Sequence, residues 1–300
     1  MLYPVIRMND EKAILKFIRT SVYSPTTAKH YTWSLKRLAR YLAHHRFHFE
    51  DLTGEMFLGF LDEQNWGLAM RAQAHTGARA FVKALFGSDH PFMELRVRTP
   101  KPRPQRTLTQ DEITKLLAGQ DLDTPKGMRD RALISLLIDT GLRAAEVCSL
   151  ELGHLDVEKC FLQVKIKGGR WGGAVFSNDT AENLLDWLAL RSEYALPTIK
   201  TVFVGIGGLT PGKQFTVSGL RSVWRRMSKK LGVKHFSTHA FRRSFATLTT
   251  QRGAPTRTVQ IAGRWKDIRQ VERYTQELPQ TAILPYLGNM EADTDQTVLN

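Results

Sequence analysis

Cysteine is scarce in this sequence. Two in 300 residues, Cys148 and Cys160, cannot build a disulfide scaffold, which excludes the small disulfide-stapled class and points to a reducing, cytoplasmic setting. No apolar run reaches the roughly 20 residues that cross a bilayer, so no membrane span is expected. Residues Met1 to Asp10 lack a basic start followed by an apolar stretch, and no secretion signal is expected. Acidic residues are in deficit too: 29 against 43 lysines plus arginines, a formal net charge of +14. With 42% hydrophobic and 24% charged residues the composition is ordinary for a globular chain, so a mostly disordered protein is excluded. Such a basic surplus favours a polyanionic partner, nucleic acid first.

Length predicts two domains, at about 150 residues each. The clearest boundary is residues 99–107, where Pro100, Pro102 and Pro104 alternate with Lys101 and Arg103 and stiffen an extended segment. With Arg106 nearby, this segment reads equally as a strap along phosphates or as a solvated linker. Before it, residues 1–98 read as a bundle of about four helices. Ser24-Pro25 is a cap followed by proline at the first helical position, and Tyr31, Leu35, Leu38 and Leu42 form a buried stripe. Arg37, Arg40 and His44 fall on another face. Helices are predicted at Gly54 to Glu63 and Arg71 to Phe86, the second with Ala74, Ala78, Phe81 and Leu85 inward. His44, His45 and His48 lack matching acids or cysteines and predict no metal site.

After the boundary, residues 108–290 mix helices with a hairpin. Thr109 and Glu112 form a capping box. Thr124-Pro125 opens a helix through Leu133, Leu136 and Leu137 that stops near Thr140-Gly141. Leu162, Val164 and Ile166 alternate with Gln163, Lys165 and Lys167 and predict a strand. Gly168-Gly169 and Gly172-Gly173 predict a turn region, with Ala174 to Phe176 returning. Helices are expected at Asp179 to Tyr194, Val217 to Leu231, Thr238 to Gln251, Arg257 to Ala262 and Ile268 to Thr275. Residues 291–300 carry acids without a base and predict a flexible tail. The fold class is mainly α with a small β-hairpin or sheet, an α+β chain. Cys148 and Cys160 read as small core residues.

Four segments carry chemistry. Thr140-Gly141-Leu142-Arg143-Ala144-Ala145-Glu146 places an arginine after a helix stop. Thr238-His239-Ala240-Phe241-Arg242-Arg243 puts His239 and Arg242 three apart near a helix N-terminus, where free amides suit an anion. Gly263-Arg264-Trp265-Lys266-Asp267 and Arg273-Tyr274-Thr275 follow. Alone, each is an ordinary surface or core feature. Together and in order, with a hairpin lysine between the first two, they form a set.

This set resembles the tyrosine recombinase (phage integrase) family of site-specific DNA recombinases, over about Thr109 to Tyr286. The resemblance implies a helical core-binding domain, then a catalytic domain, closing as a C-shaped clamp on double-stranded DNA. It implies catalytic roles for Arg143, Lys167, His239, Arg242, Trp265 and Tyr274, with strand exchange through a 3′-phosphotyrosyl intermediate. It further implies a homo-tetramer on two DNA sites, and a segment, Ala282 to Leu287, that docks either into a neighbouring subunit or onto its own core.

The chemistry agrees with these residue types. A phenol can form the covalent intermediate that conserves phosphodiester energy. Two planar, permanently charged guanidinium groups can grip the non-bridging oxygens. The indole N–H of Trp265 can add one contact, His239 can exchange a proton with the tyrosine near neutral pH, and a hairpin lysine can protonate the leaving 5′-oxygen. Lys165 and Lys167 share a strand face; Lys167, beside the glycine turn, is the family's position. Glu146 reads either as a partner of Arg143 or as a helix-surface acid. No metal, ATP, nucleotide cofactor or other cofactor is called for. Two other readings are a DNA-binding protein of this fold without catalysis and a type IB topoisomerase-like relaxing enzyme.

Overall fold

The computed structural model describes residues 8–98, 106–166, 169–208 and 210–275. The chain divides into two compact units, Met1–Arg103 and Pro104–Asn300.

The first unit is helical: α1 (Met8–Thr20), α2 (Pro25–His44), α3 (Gly54–Glu63) and α4 (Leu68–Phe86). The Ser24 side chain accepts from the Thr27 amide and Pro25 opens α2, as the local sequence predicts. Leu35, Leu38 and Leu42 are buried with Ile14, Phe17, Phe57, Phe60 and Phe81. The expected stripe on α4 ends early: Ala74, Ala78 and Phe81 are buried, whereas Leu85 is exposed. The basic face of α2 is also partly aromatic. The Arg37 guanidinium lies 4.7 Å from the centre of the Trp33 ring and donates to Gln64 Oε1.

The second unit comprises α5 (Gln110–Ala118), α6 (Pro125–Thr140), α7 (Ala144–Cys148), β1 (Leu155–Asp156), β2 (Phe161–Lys165), β3 (Trp171–Val175), α8 (Asn178–Tyr194), α9 (Val217–Leu231), α10 (Thr238–Gln251), α11 (Thr256–Ala262) and α12 (Arg269–Thr275). Helix α6 is its axis. Ala132, Leu133, Ile134, Leu136 and Leu137 are wholly shielded from solvent, and α8 and α10 pack on it. Helix α8 contributes the buried Trp187, whose Nε1 donates to the Val202 carbonyl at 2.9 Å. The expected capping box is present: Thr109 Oγ1 accepts from the Glu112 amide, and the Glu112 carboxylate accepts from the Thr109 amide.

The strands form one antiparallel sheet in the order β1-β2-β3. Alternation on β2 is as read, with Leu162 and Val164 buried and Gln163 and Lys165 exposed. The glycines Gly172 and Gly173 do not turn the chain; they pair with Val164 and Gln163 inside β3. Their cause is space. A Cβ on Gly173 would stand 2.9 Å from the Phe161 ring, and one on Gly172 would stand 3.0 Å from Arg264 Cδ. Cys148 is buried in the core, and Cys160 is a half-buried turn residue at φ 48° packed against it. No helix among the described residues is long and apolar enough to cross a membrane.

Candidate active site

The site is built where α6 stops. Gly141 takes φ 57°, and a Cβ there would stand 2.8 Å from Phe245, so both the backbone conformation and the close approach of α10 require glycine. The chain reverses and Arg143 becomes the N-cap of α7. The buried Glu146 carboxylate accepts from the Arg143 amide at 2.9 Å and from Arg143 Nη1 at 2.6 Å. Of the two sequence readings of Glu146, partner or surface acid, the structure selects the partner.

From α10 come His239 and Arg242. Helical spacing places them near one another, but their environments differ. Arg242 is only 4% exposed, donating Nη1 to the Gly141 carbonyl at 2.6 Å and Nη2 to the Gly263 carbonyl at 2.5 Å. Burial, with Arg143 and Arg264 nearby, lowers its pKa to about 9, so the guanidinium stays charged at neutral pH. His239 keeps one side in solvent. Packing on its other side lowers its pKa; Arg243, Arg242 and Arg143 lower it further, and Glu146 opposes them.

The segment after α11 closes the pocket. The Trp265 ring lies over Gly263 so tightly that a Cβ there would stand 1.8 Å from the indole. It also covers Arg242, whose guanidinium carbon is 4.0 Å from the ring centre, and it stacks on Phe245. Tyr274, near the end of α12, is half-buried with its ring centre 6.3 Å from that of Trp265. Its carbonyl accepts from Thr247 Oγ1 at 3.0 Å, which ties α12 to α10. The charge of an ionised Tyr274 is felt at both Arg242 and Arg243.

Arg143, His239, Arg242, Trp265 and Tyr274 thus lie near one another. Lys167 lies outside the described residues; the alternative, Lys165, is exposed on β2 opposite Trp171. The segment Ala282 to Leu287 and the tail 291–300 also lie outside them. Two participants were not singled out by sequence. Arg264 is 6% exposed at its side chain and donates to the Thr140 and Ala262 carbonyls at 2.9 and 2.8 Å. Arg243 is buried and donates Nε to the Arg106 carbonyl at 2.8 Å. Nothing in the periodicity marks either arginine as buried; the only signal for Arg264 is its place between Gly263 and Trp265. Among the described residues no group of three His, Cys, Asp or Glu side chains is placed to hold a metal.

Arg143 and Arg264 pair with a single buried carboxylate, Arg242 lies close by and a phenol stands at the edge, an arrangement suited to an anion. Residues 106–281 match the model of the phage integrase family, and the chain belongs to that family. Among similar proteins, the tyrosine recombinase XerD of Listeria innocua is 29% identical over 185 residues, which is 60% of this chain and 62% of that protein. The tyrosine recombinase XerC of Bacillus pumilus is 26% identical over 267 residues, 84% of this chain and 86% of its own. In fold, the chain is similar to the Tn1549 transposon integrase solved with transposon right end DNA (TM-score 0.71, 17% identity, 94% of this chain and 99% of that one). It is also similar to a lambda integrase dimer bound to a core site (TM-score 0.68, 16% identity, 90% and 77%).

Proposed function

We propose that this protein is a site-specific DNA recombinase that cuts and rejoins strands through a 3′-phosphotyrosyl intermediate. The observation that carries the reading is the gathering of Arg143, Arg242 and Trp265 around one pocket with Tyr274 at its edge. Arg143 and Arg242 grip the non-bridging oxygens of the scissile phosphate and offset the charge that builds there. The Tyr274 oxygen attacks phosphorus, the bond from phosphorus to the 5′-oxygen breaks, and the leaving oxygen takes a proton from the hairpin lysine, Lys167 or the alternative Lys165. His239, neutral at pH 7 because its pKa is lowered, accepts the phenol proton. Trp265 holds Arg242 flat and shields the phosphorus from water. Attack by a 5′-hydroxyl from the second duplex reverses the step, which calls for four copies of the chain on two DNA sites. The basic first unit supplies further phosphate contacts.

The test uses nicked suicide duplexes tiled across the DNA that flanks the encoding gene. The expected result is a denaturation-resistant protein–DNA adduct with the native chain and none with Tyr274→Phe. An adduct that survives this substitution removes Tyr274 from its role, and no adduct on any duplex overturns the reading.

A further inference from the structure

Arg264 is an expensive residue to keep for packing alone. It is not glycine, yet it takes φ 59°, a left-handed backbone region that disfavours residues bearing a Cβ. Its side chain is buried, burial lowers its pKa, and its Nε has no hydrogen-bond partner. A methionine stem could fill the same space without burying charge. Besides the Ala262 carbonyl, to which Nη1 donates at 2.8 Å, the contacts of its guanidinium suggest why an arginine stands here. Nη2 donates to the Thr140 carbonyl at the end of α6. The same nitrogen lies 3.9 Å from Glu146 Oε2, the carboxylate that also holds Arg143. Nη1 reaches across to the Gly173 carbonyl in β3 at 3.3 Å. Gly172, next to it, leaves the room through which the Arg264 stem passes.

We infer that Arg264 is a positioning residue that locks the β2–β3 hairpin to the turn carrying Arg143, fixing the hairpin's lysine relative to the phosphate the arginines grip. This inference rests on the recombinase reading and deepens it. Arg264 touches no reacting atom. It acts through backbone carbonyls at two ends: α6 with Glu146 on one side, β3 on the other. Gly173 pairs with Gln163, two residues before Lys165, so a shift of β3 is passed to the strand that leads to both candidate lysines. The step that should suffer is protonation of the leaving 5′-oxygen, not the grip on the phosphate.

That distinction is measurable, because a 5′-bridging sulfur leaves as a thiolate and needs no proton. Wild type, Arg264→Met, Arg264→Lys and Gly172→Ala are compared on a duplex the wild type cleaves, made once with the 5′-oxygen and once with 5′-sulfur at the scissile position. For Arg264→Met, adduct formation on the oxygen duplex should fall about 10- to 100-fold, as for other lost supports of reacting groups. On the sulfur duplex the loss should shrink to within about 3-fold, with duplex affinity changed no more than that. Arg264→Lys should recover part of the oxygen activity, since it keeps a cation beside Glu146. Gly172→Ala, which crowds the Arg264 stem, should lower activity with the same oxygen-over-sulfur bias and add little to Arg264→Met. Equal losses on the two duplexes, or a wild-type rate on oxygen, overturn the inference while leaving the recombinase reading intact. If Arg264→Met does not fold, Gly172→Ala decides by the same ratio. Absence of any wild-type adduct overturns both.

Discussion

At the scale of single residues, the pocket is a problem of assembling like charges. Arg143 and Arg264 share one buried carboxylate, and Arg242 beside them is held by the Gly141 and Gly263 carbonyls. Sequence order made Arg143, His239, Arg242, Trp265 and Tyr274 legible as a candidate set, because they fall in four short motifs. It did not show that Arg242 would be buried under an indole, since burial of an arginine depends on carbonyls from Gly141 and Gly263, 101 and 21 positions away. Arg264 stayed hidden for the same reason. His239 yields a pH prediction. Its folded pKa lies below its ordinary value of 6.5, so the folded chain keeps the ring neutral at and above that pH and protonates it only as the pH falls through the lowered value. A base that is neutral loses function when protonated. Adduct formation should therefore persist from neutral pH to below 6.5 and then fail toward acid, and His239→Gln should lower the rate while removing that acid limb. A rate measured against pH for both proteins checks this.

At the scale of elements, local chemistry was the reliable guide. Helix α9 (Val217–Leu231), helix α10 (Thr238–Gln251) and helix α3 (Gly54–Glu63) fall at the bounds expected from the sequence. The extent of β3 was misread because glycine pairs usually signal turns, whereas Gly172 and Gly173 are small to admit Arg264 and Phe161. Strand β1 is two residues long and offers no alternation to read. The junction of α6 with α10 carries an element-scale prediction. Gly141→Ala places a side chain at φ 57° and drives its Cβ into Phe245. It should lower unfolding stability by at least about 1 kcal/mol, seen as a lower denaturant midpoint of the chain. It should also slow adduct formation, because the same glycine carbonyl holds Arg242.

For the whole molecule, charge and hydrophobic balance were legible from composition, and the boundary between the two units, after Arg103, falls within the proline-rich stretch. The +14 net charge predicts a steep salt response for duplex binding. If some 6–10 phosphates are neutralised, affinity should fall by about 10³- to 10⁵-fold between 50 and 200 mM salt. A binding titration over that range checks it, and a flat response would remove the polyanion from the account.

The two arginines assigned to the phosphate in the proposed reaction are moored differently. Both terminal nitrogens of Arg242 are engaged by carbonyls and a ring lies across its face, whereas Arg143 leans on a single carboxylate with a third of its side chain in solvent. In the proposed reaction, an incoming strand would meet Arg242 already fixed on both sides, and any adjustment to its phosphate would fall to the more exposed Arg143.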